Sequence, residues 1–187
     1  MADQSPQHAD PTRQAFARFA HTLDTQGVRA ALSYLVSLSD YRFISVFQFR
    51  GDKAMAALHF DREHPEQLRS PEVPDTATYC CYVRDSRGVF TTANALQDDR
   101  LAGHPKRAQV LAYCGVPVMD AEGQLLGTLC HYDVAPRDPE QLDLALLIEV
   151  AATLARGGHV PPYPVDQAVS DAANDAGQRA EQTEGKA

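Results

Sequence analysis

The chain has 187 residues, 44% of them hydrophobic and 22% charged, which is enough for one globular domain with a real core and short for two. Its formal net charge is −8, with lysine only at Lys53, Lys106 and Lys186, and this argues against the basic surface that nucleic-acid binding requires. No apolar run approaches the roughly 20 residues that cross a bilayer, and the polar start "MADQSPQHAD" has no signal-peptide segment, so a cytoplasmic protein without membrane contact is expected.

Residues 1–9 are polar and aperiodic and are predicted to be a disordered arm. A domain is expected over 10–158. Asp10 can cap a helix whose first position is Pro11, with Phe16, Phe19, Ala20 and Leu23 at helical spacing. Gly27 separates it from a second helix with Val28, Ala31, Leu32, Leu35 and Leu38 as its apolar stripe. The period then changes to two. "YRFISVFQF" and "AMAALHF" flank "RGDK", which reads as a β-hairpin with Arg50 opposite Lys53. That register puts Phe43, Phe47, Phe49 and Leu58 on one face and Ile44, Val46, Met55 and His59 on the other, so both faces are expected to be covered.

The stretch 61–75 is polar with three prolines and reads as a loop. "TYCCYV" and "GVFTTANA" read as short strand or helix-end pieces, and a short helix is expected within "DDRLAGHPKRAQVLAY". "YCGVPVMDAEGQLLGTLCHYD" is the strongest strand signal, a second hairpin closed by Asp120–Gly123. If Asp120 faces Gln124, then Cys114 faces Cys130, and both are expected to be reduced, inert core thiols. Asp138–Pro139 reads as the start of a helix running to Arg156 and stopped by Gly157–Gly158. This helix is apolar around most of its circumference. It and the helix at 11–24 are therefore expected to form a homodimer contact, with Leu146 and Leu154 on the exposed face. Residues 159–187 contain prolines and then an acidic, aromatic-poor tail predicted to be disordered.

Helices, hairpin, loops, hairpin and helix in this order indicate an α+β fold with an antiparallel sheet between helical layers. The segment from Tyr113 through Gly115, Pro117, Asp120, Gly123, Leu126–Cys130 and Asp133 to Pro136–Arg137 resembles the closing signature of GAF domains. "YCCYV" at 79–83 and "NALQDDRL" at 94–101 are similar to two upstream pieces of that family, with Asn94 and Leu101 in place of the usual Asp and Phe. The resemblance covers about 12–157. It implies a GAF-like (profilin-like) six-stranded antiparallel sheet between helices, acting as a small-molecule or redox sensor that dimerises through its terminal helices. Ligands would sit between the sheet and the loops at about 61–110.

On that resemblance the candidate ligand-binding residues are Cys80, Cys81, Tyr82, Asp98, Asp99, Arg100, His104, Tyr113 and His131. The cyclic-nucleotide subtype is disfavoured because no Lys follows an Asn, and the covalent bilin subtype because His104 has no neighbouring Cys. The four cysteines show no CxxC or His/Cys spacing, so no metal site is expected, and the resemblance names no cofactor. The expected function is non-enzymatic sensing of an unidentified small molecule, passed to a partner signalling protein. The alternatives are an enzyme similar to free methionine-(R)-sulfoxide reductases, using Cys80 and Cys81, and a purely structural interaction module.

Overall fold

In the computed structural model, residues 10–67 and 72–161 are described. The arm expected at 1–9 and, except for residues 159–161, the segment expected at 159–187 lie outside them. Helix α1 spans Pro11–Gln26, with the Asp10 carboxylate accepting from the Thr12 amide, and Gly27 leads directly into α2, Val28–Ser37. Strands β1 (Phe43–Arg50) and β2 (Lys53–Asp61) form the first hairpin, and β3 is the short edge piece Val73–Pro74. Helix α3 spans Cys80–Ser86 and strand β4 Phe90–Thr92. The second hairpin is β5 (Ala112–Met119) and β6 (Leu125–Asp133), and α4 spans Leu144–Arg156. The strands make one six-stranded antiparallel sheet in the order β3-β2-β1-β6-β5-β4.

Each face of the sheet is covered, as the double-sided apolar patterning predicts. Phe19, Leu32, Leu35, Leu147, Val150 and Leu154 from α1, α2 and α4 close over Ile44, Val46, Cys114, Val116 and Leu129. On the opposite face α3 and the 90–110 loops close over Phe47, Ala54, Ala56, Tyr113 and Cys130.

Both hairpins turn where the sequence places them, and both slip by one residue further along. Arg50 does face Lys53, but a β-bulge follows: Phe47 pairs with Ala56 and Val46 with Leu58, so Ala57 is the extra residue. This exchanges the expected faces of two side chains. Leu58 joins Ile44 and Val46, while His59 turns to the other face and pairs with Ser45. In the second hairpin the Asp120 amide donates to the Gln124 carbonyl as expected, but the ladder shifts between Val118 and Met119, leaving Leu126 extra. Cys114 therefore faces His131, Gly115 faces Cys130, and the two cysteines lie on opposite faces.

Three helical expectations are also corrected. The 3-10 turn Asp99–Leu101 is followed by successive turns up to Val110, where a short helix was expected; Gly103 and Pro105 interrupt that stretch. Asp138 caps only a single 3-10 turn, Pro139–Gln141, and α4 starts five residues later than expected, capped by the Asp143 carboxylate accepting from the Leu146 amide. Leu146 and Leu154 are buried against α1 and the sheet, so the exposed apolar residues of α4 are Leu144 and Ile148.

Candidate functional site

A cavity of about 360 Å³ opens between the α3 face of the sheet and the loops around it. Its floor follows from strand alternation: Phe43 and Phe47 of β1, Tyr113 of β5, and Cys130 and Tyr132 of β6 all point to this side. Its roof is Ala77, Thr78, Tyr79 and Cys80 at the start of α3, and Lys106, Gln109 and Val110 form one rim. The Tyr79 hydroxyl donates to the Val110 carbonyl at 3.0 Å, which ties the 104–110 loop to α3. The Tyr79 ring stands edge-on to Tyr113 with centroids 5.6 Å apart. Five aromatic side chains thus line a site whose polar reach at the rim is the Lys106 ammonium, hydrogen-bonded at 2.8 Å to the Gln109 side-chain carbonyl.

Two polar clusters adjoin this apolar shell. At the deep end the Tyr113 hydroxyl donates to Cys80 Sγ at 3.2 Å, and Cys80 Sγ lies 3.9 Å from Cys130 Sγ. Gly115 makes the first contact possible, because a Cβ there would stand 2.2 Å from the Tyr113 hydroxyl oxygen. At the other end Ser45 Oγ is 2.9 Å, and the Tyr132 hydroxyl 3.4 Å, from His59 Nδ1. Phe43 stacks on Tyr132 with centroids 4.7 Å apart and lies against the His59 ring. Burial lowers the pKa of His59 and raises that of Tyr132, so both are neutral near pH 7.

Of the nine residues predicted for the site, Cys80 and Tyr113 line the cavity. Cys81 does not, and burial pushes its thiol up to about 11. The two cysteines diverge because they open a helix, where successive residues point about 100° apart, and not because they alternate along a strand. Tyr82 and His104 form a second row behind the wall: Tyr82 stacks on Phe90 at 4.6 Å and His104 packs on Tyr79 at 4.5 Å. Asp98 and Arg100 form a structural clamp outside the cavity. The Arg100 hydrogen bonds hold the Asp98 carboxyl down at about 2, and the guanidinium caps the Thr91 carbonyl and lies over the Phe90 ring. Asp99 is exposed.

His131 is on the wrong face of the sheet for this site. It is fully buried among the helices, lining a second cavity of about 260 Å³ under α1, α2 and α4, and burial holds its pKa down at about 3. The residues that sequence reasoning missed are Phe43, Phe47, Tyr79, Lys106, Gln109, Cys130 and Tyr132. The odd-numbered aromatics of β1 were a visible signal, while Cys130 was hidden by the register slip. Among the described residues no group of three or more His, Cys, Asp or Glu side chains is placed to hold a metal ion, and no helix is long and apolar enough to cross a membrane.

A family model described as "GAF domain" matches residues 12–157. The cyclic di-GMP phosphodiesterase PA2567 of Pseudomonas aeruginosa is 35% identical over 80 residues, a stretch amounting to 41% of this chain and only 14% of that protein. The GAF domain of an Acinetobacter phosphoenolpyruvate-protein phosphotransferase superposes with a TM-score of 0.62 at 14% identity, covering 89% of this chain and 99% of that one. Free methionine-R-sulfoxide reductase from Neisseria meningitidis, in a structure with its substrate, superposes with a TM-score of 0.55 at 12% identity, covering 77% of this chain and 86% of that one. Identities this low establish the shared fold alone.

Proposed function

Since the chain belongs to the GAF domain family, a ligand-binding sensor fold, we propose that it binds a small aromatic acid in the cavity beneath α3 and signals the occupied state through its terminal helices. One observation carries this reading: a cavity of about 360 Å³, within the usual size of small-molecule sites, is walled by five aromatic side chains, with Lys106 and Gln109 at its rim. The aromatic wall favours a flat apolar ligand by stacking and burial, and the ammonium favours a carboxylate at the mouth. We read the chain as a binding protein and not an enzyme.

The route to the helices follows from the pleat. Tyr113, Cys130 and Tyr132 face the cavity, while their chain neighbours Cys114, Leu129 and His131 face α1, α2 and α4. A ligand that shifts β5 or β6 therefore moves the surface on which the helices pack. The output is read by a partner protein or a second copy at the Leu144–Ile148 stripe of α4, which is apolar and exposed.

The test is thermal melting of the protein with indole-3-carboxylate and related aromatic acids, together with native mass spectrometry of freshly purified material. Ligand at a hundred times Kd stabilises by about 2.7 kcal/mol, a shift of several degrees. Lys106→Ala is expected to weaken carboxylate ligands more than their neutral amides. Absence of any shift across aromatic acids, with no retained small molecule, overturns the proposal.

A further inference from the structure

Cys80 and Cys130 come from distant parts of the chain, the start of α3 and the centre of β6, yet their sulfurs are in contact at 3.9 Å. Each residue is only 1% exposed, and both border the aromatic cavity. The remaining thiols are placed differently. Cys114 is in the helix-side core with its thiol pushed up to about 12 by burial, and Cys81 is outside the cavity. Burial also opposes ionisation of Cys80, but its hydrogen bonding with Cys130 and Tyr113 outweighs it and brings its pKa below the usual thiol value; burial, and then the contact with Cys80, push Cys130 up. The two thiols are thus shifted in opposite directions, Cys80 toward ionisation and Cys130 away from it.

We infer that the Cys80–Cys130 pair is a reactive dithiol, oxidised to a disulfide by organic hydroperoxides that enter the cavity. Cys80 attacks the distal peroxide oxygen, and the O–O bond breaks. The alkoxide leaves as the alcohol after taking up the proton given up by Cys80, which becomes a sulfenic acid. Cys130 then attacks the sulfenic sulfur, an S–S bond forms, and the departing hydroxide leaves as water with the Cys130 proton. Two electrons pass from the two sulfurs to the peroxide. Burial is the main influence that raises the Cys130 pKa and Cys80 adds to it, so oxidation of Cys80 removes the smaller contribution and favours the second step. The product ties α3 to β6 and removes the Cys80 acceptor that the Tyr113 hydroxyl holds. The inference rests on the cavity admitting small molecules, as the sensing proposal does, but needs no bound ligand.

The experiment treats the reduced full chain with cumene hydroperoxide, alkylates it under denaturing conditions and maps the peptides. The expected result is a loss of about 2 mass units, two thiols protected from alkylation, and a dithiothreitol-sensitive peptide joining Cys80 to Cys130. Cys130→Ser is expected to stop at a sulfenic acid on residue 80 that dimedone traps, and Cys80→Ser to leave both products absent. Four alkylatable thiols after treatment, a link through Cys81 or Cys114, or unchanged oxidation of Cys80→Ser would each overturn the inference. Indole-3-carboxylate binding is measured on the same samples. Binding without the disulfide removes this inference and leaves sensing in place; the disulfide without binding does the reverse.

Discussion

His131 links pH to folding through a single imidazole. It is neutral in the fold with a pKa of about 3, whereas in the unfolded chain it titrates near the usual 6.5. Between those values the unfolded chain binds the extra proton. Stability is therefore complete above about pH 6.5 and falls as the pH drops toward 3, by about 1.4 kcal/mol per pH unit for one such group. The shift of His59 has the same sign and adds to it. Asp61, Asp75 and Asp98, held low mainly by Arg42, Arg84 and Arg100, lose their contributions only below the ordinary carboxylate range. Urea midpoints measured from pH 7.5 to 4.5 are expected to fall in the wild type and to fall less steeply in His131→Phe. Two glycines supply a second prediction at this scale. A Cβ on Gly127 would stand 2.2 Å from the Phe47 carbonyl oxygen, so Gly127→Ala forces β1 and β6 apart and is expected to cost about 1–3 kcal/mol in chemical denaturation. Gly115→Ala meets the Tyr113 hydroxyl instead, and is expected to change the alkylation rate of Cys80 more than the melting temperature.

At the scale of elements, sequence patterning revealed what has a local cause and missed what depends on one extra residue. The caps and glycines that start and stop α1 and α2, and the turn residues that close both hairpins, act over three or four positions and are visible in the chain. A β-bulge has no such signature: Ala57 and Leu126 are ordinary strand residues, yet each reverses the faces of everything beyond it. That single effect put His59 and His131 on unexpected faces and parted Cys114 from Cys130. The cavity was legible only in part for the same reason, because its walls are assembled from β1, β5, β6 and α3, whose register sets which side chains meet. The start of α4 shows competition between two plausible caps. Asp138 and Asp143 each accept from an amide, but only Asp143 begins a full helix, and it also takes the Thr12 hydroxyl from the start of α1. Asp143→Ala is expected to cost about 0.5–2 kcal/mol and Asp138→Ala clearly less, read by denaturation.

For the whole molecule, the apolar character of α4 is divided between two tasks. Leu146, Leu147, Val150 and Leu154 pack inward, while Leu144 and Ile148, at a spacing of four, share the outer face, with Ile148 51% exposed. If this face is the dimer contact, Ile148→Glu yields a monomer by light scattering with an unchanged melting temperature, whereas Leu154→Glu unfolds the domain. The sheet beneath is built from two leaves. Each hairpin pairs over eight residues, but β1 and β6 pair over only five, from Phe43–Tyr132 to Phe47–Thr128. The cavity takes Phe43 and Phe47 from one leaf and Tyr113, Cys130 and Tyr132 from the other. On the sensing proposal an occupant is a rivet across this five-pair ladder, which joins the two hairpins at the centre of the sheet. Deuterium uptake at the β1–β6 amides is expected to slow by up to about a hundredfold with ligand at a hundred times Kd, while the outer ladders change little. On the sensing proposal, filling the cavity fastens the sheet along its own midline, where its two hairpins share fewer backbone pairs than either makes within itself.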